Sequence, residues 1–187
     1  MYDLFSNSRL LGNKDILSKK SVYILASKFC TSYTNEILST FIPYFCATNV
    51  ALVIRYSDQI STKVLELLAE LQGSCIIVYD TFTNLTSQGD IANLLKLNTC
   101  CFVFPKNIRN MAASNTIELL AMFYSCLLIT ESISSVEFSY SISCTLDLNK
   151  PVYVIPGSIY AKASQGSNFL IRNGATLVQN PLDVNFD

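Results

Sequence analysis

The chain has 187 residues, which is enough for one domain with a substantial core. Hydrophobic residues make up 50% of it and charged residues only 14%, a composition that excludes a disordered chain. Because the formal net charge is -1, no global positive field attracts nucleic acid, and any such binding must come from a local patch.

The first 20 residues are polar and predict an irregular lead-in segment, so residues 21–187 are expected to form a single domain. Six short apolar runs follow. They are rich in β-branched residues and predict strands at residues 22–25, 50–54, 75–79, 101–104, 127–130 and 152–155. Since these runs are continuous rather than alternating, the strands are expected to be buried on both faces.

Segments of helical periodicity separate the runs and predict helices at residues 32–41, 61–71, 88–95, 115–123, 138–148 and 167–173. Ser61 and Asn115 are the expected N-caps of two helices, and Gly73 is the expected left-handed stop of one. The alternation predicts an α/β fold of the Rossmann-like type. Its sheet would be doubly wound and mainly parallel, with helices on both faces.

Two apolar stretches, residues 37–54 and 111–130, are long enough to be considered as membrane spans. Pro43 and Asn49 interrupt the first, and the helix start at Asn115 divides the second. Each stretch is therefore interpreted as a helix followed by a short strand. Residues 1–9 also lack the basic start and apolar core of a secretory signal, so we expect a cytoplasmic protein with no membrane contact.

The residue types present exclude several kinds of catalytic site. The chain contains no histidine, so neither a Ser-His-Asp nor a Cys-His relay can form, nor a zinc site that needs histidine. Its seven cysteines contain no C-x-x-C spacing and lie mostly in apolar runs, which is typical of buried thiols in a reducing compartment. We predict no metal site and no catalytic residues.

In a doubly wound sheet, ligands bind beyond the carboxyl ends of the strands. The residues that follow the predicted strands contain few glycines, and neither G-x-G-x-x-G nor G-x-x-x-x-G-K-[ST] occurs. A close approach of the backbone to a pyrophosphate or a triphosphate is therefore not expected. We predict no nucleotide cofactor.

The most specific pattern lies between residues 151 and 175, where P-V-Y-V-I-P-G-S-I is followed by S-Q-G-S-N-F-L-I-R-N-G-A. It resembles the DprA/Smf DNA-processing family, whose pattern there is V-x-x-x-P-G-S and then S-x-G-x-N-x-L-I-x-x-G-A. A glutamate of the family's V-x-E-A stretch falls on Glu131. The other matching motif residues are Pro156, Gly157, Ser158, Ser164, Gly166, Asn168, Leu170, Ile171, Gly174 and Ala175.

The phosphate-binding motifs of the family are largely replaced. Its G-S-R falls on Ala26, Ser27 and Lys28, so the charge is kept and the glycine is not. Its R-N-R falls on residues 116–118, which read Thr-Ile-Glu, and its S-G-S-L-I-T falls on residues 136–141, which read Val-Glu-Phe-Ser-Tyr-Ser. A bulky side chain blocks the approach of a phosphate and a glutamate repels it, so the architecture carries over better than the phosphate site.

The resemblance implies a non-catalytic protein that binds single-stranded DNA and acts in DNA processing, recombination or natural transformation with a RecA-type recombinase. It also implies a homodimer. The expected contacts with DNA are Ser27, Lys28, Arg55, Lys106, Arg109 and Lys162, with Lys150 as a further cation. The alternative for each single cation is a solvated charge on a loop.

The retained motif residues allow two interpretations. Gly157, Gly166 and Gly174 fit a tight turn, a loop bend and a helix stop, and Asn168 fits a helix cap. Alternatively, they shape the mouth of the ligand crevice and a subunit contact. Fold and assembly are favoured over phosphate binding.

Two other functions stay open. A degenerate family member could serve as a dimeric interaction module without DNA binding, as the loss of the arginine pair suggests. A nucleotide-derivative hydrolase of the phosphoribohydrolase type is the third option, with Glu131 as its only acid/base candidate. The P-G-G-x-G-T-x-x-E signature that such enzymes share is not matched at residues 156–159.

Overall fold

A sheet of eight strands runs through the centre of the protein, in a computed structural model that describes residues 8–28, 31–58, 60–79, 98–105, 113–134 and 136–186. The strands are β1 (Ser8–Gly12), β2 (Ser21–Leu25), β3 (Ala51–Arg55), β4 (Cys75–Val78), β5 (Cys100–Pro105), β6 (Cys126–Ile129), β7 (Val152–Val154) and β8 (Thr176–Leu177). Their order is β1-β5-β4-β3-β2-β6-β7-β8. All neighbours are parallel except β1, which is antiparallel to β5.

Helices cover both faces of this sheet: α1 (Ser32–Ala47), α2 (Ser61–Leu71), α3 (Ala113–Ala121), α4 (Ser139–Asp147) and α5 (Gln165–Arg172). Helices α1 and α2 share one core with Val22 and Ile24 of β2. Helices α3, α4 and α5 pack on the opposite face, which carries Tyr23 and Leu25. Successive side chains of a strand point to opposite faces. Because helices cover both faces, every residue of β2 is buried.

The predicted α/β, doubly wound fold is confirmed. Strands β2 to β7 coincide with the six predicted runs, and the helices α1 to α5 overlap five of the predicted helices. The helix predicted at residues 88–95 lies outside the described residues. Each of the two long apolar stretches is a helix followed by a strand, and no helix within the described ranges is long and apolar enough to cross a bilayer.

The lead-in segment was expected to be irregular, and this is wrong for residues 8–18. Strand β1 pairs with β5 at one edge of the sheet, and a short 3-10 helix, Lys14–Ser18, buries Ile16 in the core. A backbone φ of +95° at Gly12 ends β1, where a side chain would collide with the Cys100 carbonyl oxygen. An edge strand has a partner on one side only, so it needs no continuous apolar run.

Three expected helix ends are also wrong. Ile60 is the N-cap of α2, and the Ser61 hydroxyl donates instead to the Tyr56 carbonyl oxygen at 3.1 Å. Helix α3 begins at Ala113, which places Asn115 inside it. The left-handed residue after α2 is Gln72, with a φ of 52°, rather than Gly73.

Helix α1 continues to Ala47, past the predicted interruption at Pro43. A proline removes only one backbone donor, and Ile42 and Phe45 beside it are fully buried in the core. Asn49, with a φ of 60°, follows the helix end. The burial of the apolar stripe therefore outweighs the cost of the proline.

Candidate functional site

The strand order reverses at β2, which has β3 on one side and β6 on the other. The connections after β2 and β6 therefore lead away from each other. Doubly wound folds bind their ligands in the crevice between two such connections. Two crevices open at this carboxyl edge of the sheet. The switch-point crevice has a volume of about 570 Å³ and includes Tyr23, Lys28, Arg55, Asp58, Glu137 and Phe138. The motif crevice, of about 510 Å³, includes Thr31, Tyr33, Glu131, Gly157, Ser158 and Ser164.

The switch-point crevice carries balanced charges. Among the lining residues that the structure describes, Lys28 and Arg55 are the cations, and Asp58 and Glu137 are the carboxylates. The Tyr23 hydroxyl donates to Asp58 Oδ2 at 2.7 Å. Burial, together with the Asp58 charge, raises the pKa of Tyr23 well above its usual value, so Tyr23 stays a neutral donor. In the part of the crevice that the structure describes, the formal charges of the two cations and the two carboxylates balance.

Glu137 is held in place by groups that follow two different strands. Its Oε1 accepts a hydrogen bond from the Ser27 hydroxyl at 2.8 Å, and its Oε2 accepts one from the Ile133 backbone N–H at 3.0 Å. The Ser132 hydroxyl lies 3.3 Å from Oε2, but its single proton has a shorter contact with the Ser134 carbonyl oxygen at 2.8 Å. The Glu137 carboxylate thus supplies the hydrogen-bond acceptor for the hydroxyl of Ser27, which is fully buried.

Glu131, at the end of β6, fastens the start of α1. Its carboxylate accepts hydrogen bonds from the Thr31 backbone N–H at 2.8 Å, the Thr31 hydroxyl at 2.9 Å and the Thr34 hydroxyl at 2.7 Å. Glu131 is only 2% exposed. A buried carboxylate at a helix N-terminus is stabilised by the backbone donors there, and both oxygens are engaged.

Asn168 fixes the turn that follows β7. Its Nδ2 donates to the Gly157 carbonyl oxygen at 2.9 Å, and its Oδ1 accepts from the Gly157 N–H at 3.2 Å. Asn168 lies within α5, so its interpretation as a helix cap is wrong. A side chain at position 157 would collide with the Ser164 hydroxyl, which explains why glycine is required in this turn.

Gly166 brings α5 close to the segment that follows β6. Its N–H donates to the Ser132 carbonyl oxygen at 2.7 Å. A Cβ at this position would lie 2.5 Å from the Ser134 carbonyl oxygen and 2.6 Å from the Ser132 hydroxyl oxygen. Only glycine allows this approach without a shift of the backbone.

Gly174 ends α5, as predicted. Its φ is +102°, and its N–H donates to the Ile171 carbonyl oxygen while the Ala175 N–H donates to that of Leu170. This is the Schellman arrangement of a helix C-terminus. Leu170, Ile171 and Ala175 are half-buried and pack on the face of the sheet that α3 and α4 cover.

The family model described as DNA recombination-mediator protein A matches residues 100–185. The resemblance to the DprA/Smf family is thereby confirmed. The matched part contains Glu131 and every motif residue from Pro156 to Ala175, whereas Ser27, Lys28 and Arg55 lie outside it. No curated protein sequence matches the chain.

Two solved structures share the fold. DNA processing protein A (DprA) from Streptococcus pneumoniae superposes with a TM-score of 0.75 at 20% identity, covering 96% of this chain and 66% of that protein. The DprA of Helicobacter pylori, a protein described for its single-stranded DNA binding mode, superposes with a TM-score of 0.75 at 14% identity. It covers 94% of this chain and 83% of the H. pylori protein.

The structure brings together some of the cations expected from the DprA resemblance. Lys28 and Arg55 line the switch-point crevice beside the buried Ser27, whereas Lys162 is exposed on a short 3-10 helix and lines neither crevice. Lys106 and Arg109 lie outside the described residues. The DNA contacts of these residues stay a prediction.

Lys150 has a different role from the one expected. Its Nζ donates to the carbonyl oxygens of Ala121 and Tyr124, both at 2.6 Å, and lies 5.4 Å from the centre of the Tyr124 ring. Burial lowers its pKa from the usual value. A cation that satisfies carbonyls at the end of α3 stabilises the fold, which argues against the predicted phosphate contact.

Proposed function

We propose that this protein binds single-stranded DNA without catalysing a reaction and serves in DNA processing, recombination or transformation beside a RecA-type recombinase. The observation that carries the proposal is the pair of cations, Lys28 and Arg55, at the switch-point crevice of a fold shared with the H. pylori DNA-binding protein. Each cation can neutralise a phosphate at the edge of the sheet where this architecture receives ligands.

The test is fluorescence anisotropy of a labelled oligo-dT at several salt concentrations. Lys28→Glu is expected to weaken binding about tenfold, because it removes one phosphate contact and adds a repulsive charge. Lys20→Glu is the matched control, since Lys20 is exposed at the other end of β2 and the change in net charge is the same. Absence of binding at low salt, or equal losses for both variants, would contradict the proposal.

The engagement of Glu131 supports a non-catalytic role. Both of its oxygens accept hydrogen bonds from Thr31 and Thr34, so the only acid/base candidate of the hydrolase alternative serves the fold. We expect no release of free base from a panel of nucleoside monophosphates. Base release that is lost in Glu131→Gln would revive the hydrolase alternative.

A homodimer is part of the same proposal. Strand β8 lies at one edge of the sheet, opposite the edge that β1 forms, and Leu177 on it is 42% exposed. Phe169 and Leu182 nearby in the sequence are also exposed apolar side chains. An open strand edge with exposed apolar residues favours pairing with a second chain. Sedimentation should show a dimer that Leu177→Lys converts to a monomer, with Leu11→Lys on β1 as the control.

A dimeric interaction module without DNA binding is the second candidate. The family's arginine pair falls on α3, where Thr116 is buried and Glu118 accepts a hydrogen bond from the Tyr140 hydroxyl. Neither position presents a positive charge. A stable dimer that is indifferent to oligo-dT at every salt concentration would favour this candidate over the first.

A further inference from the structure

Two hydrogen-bond donors meet at the switch point, and a carboxylate of the chain itself occupies both. The Ser27 hydroxyl and the Ile133 N–H donate to opposite oxygens of Glu137, at 2.8 and 3.0 Å. Ser27 follows β2 and Ile133 follows β6, the two strands between which the sheet order reverses. The Glu137 oxygens therefore stand where two oxygens of a bound oxyanion would be received.

The donors are fixed by the framework, whereas their occupant is at the surface. The Ser27 N–H donates to the Glu131 carbonyl oxygen at 2.9 Å, which fastens the loop after β2 to the end of β6. Gly166 donates in the same way to the residue before Ile133. Glu137 is an exposed residue on the segment before α4. Rotation of its side chain can vacate the donors without a shift of the backbone that holds them.

The surrounding charges favour an anion once Glu137 has left. Lys28 and Arg55 line the same crevice, and the remaining carboxylate, Asp58, accepts the hydrogen bond of Tyr23. With Glu137 in place, the described lining of the crevice has as many carboxylates as cations. Without it, the cations are in excess beside two vacant donors.

We infer that Glu137 is a built-in anion that occupies a phosphate-sized site at the switch point and competes with phosphate for it. The site takes a phosphate group only after the carboxylate has swung outward. This inference refines the proposed function by naming the residue that limits access of phosphates. It rests on the proposed function only for the choice of phosphate as the competing anion.

The test is a calorimetric titration of inorganic phosphate into the wild type and into Glu137→Ala. We expect at least a tenfold gain in affinity for Glu137→Ala, because the donors and cations lose their internal competitor. Glu70→Ala, at an exposed position of α2, is the matched control for net charge and should equal the wild type. Adding Ser27→Ala to Glu137→Ala should abolish the gain.

If circular dichroism shows that Glu137→Ala does not fold, a second variant takes its place. Glu137→Gln keeps the shape and an acceptor oxygen but removes the charge, so a smaller gain in phosphate affinity is expected. A folded variant that binds phosphate no better than the wild type or Glu70→Ala overturns the inference. Since free phosphate is the probe, a gain in a protein that ignores oligo-dT would support the inference and contradict the proposed function.

Discussion

The two crevices at the carboxyl edge of the sheet are built from different parts of the chain. The motif crevice is shaped by backbone contacts: Gly157 and Gly166 stand where a side chain would collide, and Asn168 holds the turn through its amide. The switch-point crevice is defined by side chains, above all Lys28 and Glu137. Gly157 and Gly166, which meet a backbone requirement, agree with the family pattern, whereas Glu137 in the switch-point crevice stands where the family has glycine. The fold and the choice of ligand therefore depend on different residues at the same edge of the sheet.

The largest expected effect is on the motif crevice. Gly166→Val should lower the free energy of unfolding by about 3 kcal/mol, because the added atoms collide with the backbone carbonyl oxygen of Ser134. Gly174→Ala is the control, since its Cβ meets open space and only the positive φ costs about 1 kcal/mol. Urea denaturation measures both. A smaller loss of stability for Gly166→Val than for Gly174→Ala would contradict a backbone requirement for glycine at position 166.

Asn168→Ala should be the next largest change, with a loss of about 1.5 kcal/mol in the free energy of unfolding. It removes two hydrogen bonds with the Gly157 backbone. Asn173→Ala, which removes a single exposed hydrogen bond to the Phe169 carbonyl oxygen, should cost less. Equal losses in thermal or urea unfolding would show that the turn after β7 does not depend on Asn168.

In the switch-point crevice, Glu137→Ala should change binding more than stability. We expect oligo-dT affinity to rise about fivefold, which corresponds to about 1 kcal/mol, because a repulsive charge beside the phosphates is removed. Anisotropy titrations against Glu70→Ala measure this difference. A large loss of stability without a gain in affinity would place Glu137 with the structural residues of the motif crevice.

The smallest effect is expected for Lys162→Glu. Lys162 lines neither crevice, so its contribution to oligo-dT affinity should be about 0.5 kcal/mol, clearly below that of Lys28→Glu. A salt series in the same anisotropy assay separates the two variants. If Lys162→Glu were the more damaging substitution, the DNA would have to pass over the motif crevice instead.

The strands that the sequence predicted correctly are those buried on both faces. Continuous apolar runs mark β2 to β7, and such runs have few alternatives in a domain of this size. The strands β1 and β8 were missed because each lies at an edge of the sheet. Strand β8 is also only two residues long, and both are exposed. Edge strands carry no distinctive hydrophobic pattern.

The candidate site was predictable in its location but not in its contacts. Placing Ser27 and Lys28 after the first predicted strand, which is β2, required only the fold class. The Ser27–Glu137 hydrogen bond joins residues 110 positions apart, and no local pattern signals such a pair. The contacts of Lys150 were not predictable for the same reason, because its carbonyl partners, Ala121 at the end of α3 and Tyr124 just beyond it, are close only in the folded chain.

Strand β1 has a consequence for the order in which the protein is made. Within the described residues its one partner strand is β5, which is synthesised after β2, β3 and β4. As the chain leaves the ribosome, the segment that becomes β1 must wait without a partner until β5 has emerged. Strand β1 is therefore translated before its neighbour in the sheet and can pair only once β5 is present, so this edge of the sheet is completed late in folding.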